Sequence, residues 1–89
     1  MPNWSALSED DRNDMENKVV ASLNSIGIKG AVARWNMPAE LPHWQLIIET
    51  SWCASKAPND VARSRDQAMA RAGIYAPMNG VILKSPQEK

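Results

Sequence analysis

One cysteine, one histidine, no phenylalanine and four glycines occur in 89 residues. A single cysteine excludes an internal disulfide. One histidine and one cysteine leave half of a zinc tetrahedron to carboxylates, and these have no recognisable spacing, so no metal site is expected. The chain also lacks an excess of either charge. Ten acids balance ten bases, so no bulk attraction to nucleic acid or to a membrane is expected. Long apolar runs are missing. The longest aliphatic ones, Leu46-Ile47-Ile48 and Val81-Ile82-Leu83, fall far short of the roughly 20 residues of a membrane span. The segment from Met1 to Leu7 has no basic stretch followed by a long apolar one, so a cytoplasmic chain is the expectation. No Walker motif, strand-first G-x-G-x-x-G or G-x-S-x-G elbow occurs, which leaves nucleotide binding and serine-nucleophile chemistry unsupported and no cofactor implied.

The composition that remains is that of a single small globular domain. Hydrophobic residues make up 44%, too many for a disordered chain. Twelve of them are alanines, so the core is thin, and a partner or a second copy could complete it.

The sequence Ser8-Glu9-Asp10-Asp11 resembles a capping box, in which side chains accept orphan hydrogen bonds at a helix start. Met15, Val19, Leu23 and Ile26 then recur at helical spacing, with Ser22 beside them. Gly27 suits a helix end, so a first helix is read over 9–26. Strands are read over 29–36 and 43–53. In the second, Trp44, Leu46, Ile48, Thr50 and Trp52 alternate with His43, Gln45, Ile47, Glu49 and Ser51, the period of a strand with one buried face. Pro38 and Pro42 make the intervening segment a hairpin loop. Pairing Asn36 with His43 sets Trp35 opposite Trp44, Ala33 opposite Leu46 and Ala31 opposite Ile48. A slip of one residue would mix the faces.

Pro58 and Asp60 open a second helix over 58–72, since proline fits a first turn and an acid suits the positive end of the dipole. Val61, Ala68, Met69 and Ala72 form its narrow apolar stripe, and Gly73 ends it. A short third strand follows over 80–84, and 85–89 is read as a frayed tail. The fold class is therefore α+β, a two-layer sandwich of order α-β-β-α-β. A three-stranded mixed sheet carries two helices on one face. Strand three could lie beside strand one or strand two.

No catalytic constellation emerges. On a straight strand, His43 and Cys53 would be about 33 Å apart, too far for a nucleophile–base pair. Gly27-Ile28-Lys29-Gly30 matches the G-x-x-G loop with which KH domains clamp a nucleic-acid backbone. A strand rather than a helix is expected after it, so it reads as a helix cap and strand start.

Two surfaces are candidates for function. The first is the sheet face turned away from the helices, where Val32 and Ile47 are ringed by Arg34, Asn36, His43, Gln45 and Glu49. The apolar hairpin tip with Met37 and Leu41 extends it. An apolar centre with a polar rim suits protein recognition, and the lack of an aromatic on this face argues against stacked RNA bases. The expected partner is a protein or a second copy of the chain. The expected role is non-enzymatic: an inhibitor, an antitoxin-like protein or an accessory subunit, of the size common among bacterial or phage accessory proteins. The alternative is anion or nucleic-acid binding by Lys56, Arg63, Arg65 and Arg71, on and beside helix two. Residues 1–17 hold five acids and one base, and the remaining residues hold nine bases and five acids. The two parts are thus oppositely charged.

Overall fold

A computed structural model describes residues 4–40, 42–77 and 80–86. It contains α1 (Glu9–Ser25), β1 (Val32–Asn36), β2 (Gln45–Glu49), α2 (Pro58–Ala72) and β3 (Val81–Lys84), with a 3-10 turn at Ser51–Ser55. The sheet order is β1-β2-β3, with β1 and β2 antiparallel and β2 and β3 parallel. The two helices and the three-stranded mixed sheet make the α+β arrangement read from the alternation of periods. β3 takes the place beside β2.

Both helices start and stop where local chemistry directs. The Asp11 amide donates to Ser8 Oγ at 3.1 Å, capping α1. α1 ends as the Gly27 amide donates to Asn24 O and the Ile28 amide to Leu23 O. α2 ends the same way, with Gly73 to Ala70 and Ile74 to Met69. Gly73 adopts φ 71° there, a left-handed turn that a Cβ disfavours. In each ending, the residue after the glycine and the one five positions back are both buried, as the motif's apolar contact requires.

The helix-facing side of the sheet is Leu46, Ile48, Val81 and Leu83, joined by half-buried Ala33 and Trp35. These residues share one core with Met15, Val19 and Leu23 of α1 and Ala68 and Met69 of α2. α1 lies toward β1 and α2 toward β3. Ser22 is buried between the helices, where its hydroxyl donates to Ala68 O at 2.7 Å. The polar residue in the α1 stripe thus ties the two helices together.

Three local expectations are corrected. First, β1 begins at Val32 rather than 29, because Gly30 has φ 72°, incompatible with an extended strand. Second, β2 runs over Gln45–Glu49 rather than 43–53. The Thr50 amide makes the last bond to β3, at Lys84 O, and β1 reaches only as far as Glu49. With no further pairing on either side, Thr50 caps the 3-10 turn by accepting from the Trp52 amide. His43 and Cys53 are therefore not two points on one straight strand, and the separation argued from strand geometry does not apply to them. Third, the hairpin register is shifted by two: Trp35 opposes Leu46 and Ala33 opposes Ile48. The Trp44 amide donates instead to Trp4 O at 2.9 Å. A shift of two keeps every side chain on its expected face. The third strand starts at Val81 rather than 80 and ends at Lys84 as read, and of the tail only Ser85 and Pro86 fall within the described residues.

Tryptophans close the hairpin end. Trp4 folds back and is buried, with its ring 5.6 Å from that of Trp35. The Arg12 guanidinium lies 4.1 Å from the centre of the Trp44 ring and donates to Leu7 O. This cation–π contact links the start of α1 to the sheet. The indole N–H groups of Trp4 and Trp35 are buried without hydrogen-bond partners among the described residues.

Candidate protein interface

Strand alternation places Val32, Arg34 and Asn36 of β1, Gln45, Ile47 and Glu49 of β2, and Ile82 and Lys84 of β3 on the face away from the helices. The face is therefore assembled as the alternation implies, with one physical difference. Ile47 is only 7% exposed. It sits on the central strand opposite Arg34 on one side and Ile82 on the other. Its place on the central strand between two long register partners accounts for this, which a reading of one strand at a time misses. The accessible apolar surface is instead at the margin: Val32 is 65% exposed and Met37 42% exposed. Arg34 lies 4.0 Å from Glu49, diagonally across the β1–β2 pair. At this length and exposure the pair contributes little to stability.

The hairpin tip is partly placed. Met37 is exposed and Pro38 half-buried, whereas Leu41 lies outside the described residues. His43 precedes β2 and is half-buried. Its Nδ1 donates to the Trp44 carbonyl at 2.9 Å.

The four basic residues near α2 do not form one patch. Lys56 and Arg65 border the same cleft, together with Lys84. Arg63 is exposed elsewhere on α2. Arg71 turns toward α1, where its Nε donates to Ser25 Oγ at 3.2 Å. The exposed Lys56 lies 5.5 Å from the centre of the Trp52 ring, which holds it beside the cleft. After the Gly27–Gly30 tetrapeptide comes β1, not the helix that follows a KH loop.

Two clefts were missed from the sequence. They flank α2 on the β3 side and share Arg65. One, of about 410 Å³, has Met69, Ile74 and Val81 in its wall and Tyr75 at its edge. The other, of about 360 Å³, runs past Cys53, Val61 and Leu83. Tyr75, the sole tyrosine, is 72% exposed. Its place in the turn between α2 and β3 is the only signal a sequence offers for it. Burial pushes the Cys53 thiol up from its ordinary pKa, so the neutral form is favoured. That is the opposite of an activated nucleophile. Among the described residues, no group of histidine, cysteine, aspartate and glutamate could hold a metal ion, and no helix is long and apolar enough to cross a membrane.

No family model matches the chain, and neither does any curated protein or any solved structure.

Proposed function

We propose that the protein is a non-enzymatic, cytoplasmic protein-interaction module that binds a protein partner or a second copy of itself through the bare sheet face and hairpin tip. An inhibitor, an antitoxin-like protein or an accessory subunit works in this way, by surface complementarity alone. The observation that carries the reading is the one-sided sheet. Both helices share a core with one face, and the other face keeps a half-buried Ile82 and a largely exposed Val32 inside a polar surround. Met37 continues this apolar margin into the loop. Exposed apolar residues set among charged and polar ones are the mixed composition of non-obligate interfaces.

The test is site-specific photocrosslinking in the expressing cell, from positions 32, 37 and, as a control on the far side of the molecule, 13. The expected result is one discrete adduct shared by positions 32 and 37 and absent from 13. Equal or absent crosslinking at all three overturns the reading. Light scattering of the purified chain and of Val32→Asp then separates a second copy from a different partner. A dimer lost on substitution assigns the face to self-association.

A further inference from the structure

The margin between α2 and β3 offers a second surface, independent of the bare face. The Leu46 amide donates to Gly80 O and the Thr50 amide to Lys84 O. In a parallel ladder, backbone groups alternate between the two sides of a strand. The carbonyls of Gly80 and Lys84 therefore face β2, as do the N–H and C=O of Ile82, whereas the Gly80 N–H donates back to Pro77 O and Val81 and Leu83 turn their groups outward. β3 is an edge strand, so that outward row has no strand beside it among the described residues. Val81 and Leu83 are buried, 4% and 8% exposed, so this row is reached through the clefts that they line rather than from open solvent.

The two clefts lie along this edge, one beside Val81 and the other beside Leu83, and α2 forms the opposite wall of both. A helix set alongside an open strand edge is the arrangement in which an extended peptide can be held. The strand supplies main-chain hydrogen bonds, and pockets receive alternate side chains. The clefts differ in chemistry. The first is apolar at Met69, Ile74 and Val81, and its Arg65 is already paired with Asp66 at 3.3 Å. The second is bordered by Lys56, Arg65 and Lys84 and by no carboxylate. By alternation the Lys84 side chain belongs to the bare face, so it reaches this cleft only around the strand edge. Lys56 and Arg65 are the cations that α2 and its approach supply directly, and of the two only Lys56 is without a carboxylate partner among the described residues, since Arg65 is paired with Asp66.

We propose that an extended segment of a partner protein adds to β3 as a fourth strand, placing a large apolar residue in the first cleft and an aspartate or glutamate in the second. Val81 and Leu83 are two residues apart, so the two anchoring residues of the segment lie two to four positions apart. The acid faces Lys56 and Arg65, and the outward groups of Val81 and Leu83 bond its backbone.

The test starts by selecting binders from a random decapeptide library displayed on phage. Enriched sequences are then made as synthetic peptides with blocked ends. Binding is followed by fluorescence polarisation and by amide shifts of the full-length protein. The expected consensus has an acid two to four positions from a large apolar residue. Affinity should fall at least about tenfold in Lys56→Glu/Arg65→Glu, the scale expected on replacing attraction by like charge. N-methylation of alternate peptide amides should weaken binding in one alternation and leave the other within about twofold, because only one set faces the strand edge. Amide shifts should centre on Val81 and Leu83. Lys56→Glu alone, at an exposed position, repeats the charge test if the double variant does not fold. No enrichment, shifts centred on β1, binding indifferent to both charge variants, or dependence on a free terminal carboxylate overturns the proposal. Tighter binding of a single-stranded oligonucleotide than of any selected peptide, or salt-sensitive self-association lost in the charge variants, also overturns it. A negative result here leaves the bare-face reading standing, because the crosslinking positions lie on other elements.

Discussion

Ile48 faces the helices and Ile47 faces away from them, although the two are consecutive on the central strand. Their exposures are nearly alike, 1% and 7%. What surrounds them differs. Ile48 belongs to a core built from both helices and all three strands, whereas Ile47 stands outside that core, between its strand neighbours. Low exposure on one side comes with membership of the core cluster, and on the other with none. Burial fraction alone does not report packing. The same contrast explains why the bare face reads as a binding surface: it lies outside the core and its margin is exposed.

The contrast is sharpest in stability. Ile48→Ala should cost about 3 kcal/mol, the range for a large-to-small change in a closed core where a cavity remains. Ile47→Ala should cost about 1 kcal/mol, because neighbouring side chains can relax into the space or water can enter it. Urea unfolding of the two variants measures both, and equal losses would erase the distinction between the faces. On the covered side, Ser22→Ala should cost about 1 kcal/mol, since it removes a buried hydrogen bond between α1 and α2. Hydrogen exchange should then show faster opening where the helices meet, with β1 unaffected. A uniform change across the chain would argue that the bond does not act locally.

The smallest expected effect is on pH dependence, and it also belongs to the covered side. Burial raises the Cys53 thiol pKa in the folded state. The thiol's contribution is therefore complete below the unfolded thiol pKa, about 8.5, and is lost as pH rises through the higher folded value. The urea midpoint of the natural chain should decline more between pH 8 and 10 than that of Cys53→Ala. Parallel declines would mean that the thiol is not buried in solution.

Much of the local architecture was readable because local signals are short-ranged. Pro58 and Gly73 bracket α2, and Ser8 and Gly27 bracket α1, through contacts within five residues. Alternation over Gln45–Glu49 assigned each side chain to its face, and the structure keeps that assignment. The register was harder. Side chains repeat every two residues, so a shift of two satisfies the same pattern, and in the observed register the Trp44 amide donates to Trp4 O rather than pairing with β1. The length of β2 was misread because Trp52 and Cys53 continue a strand-like composition after the pairing strands have ended. The candidate site divides along the same line. Val32 and Met37 were visible as apolar residues in exposed places. The burial of Ile47 was not, since one of its two register partners, Ile82, is on a strand whose position the sequence left open.

By itself, the sequence determined which segments are helical, where they begin and end, and which side chains share a face of each strand. These follow from capping groups and from periods of 3.6 and 2 within one element. Only the tertiary structure decided that β3 lies beside β2, that clefts separate α2 from β3, and that Lys56 and Arg65 share one of them while Arg71 turns to Ser25. Those placements depend on contacts between segments tens of residues apart, where packing of one element against another selects among arrangements that local pattern leaves equivalent.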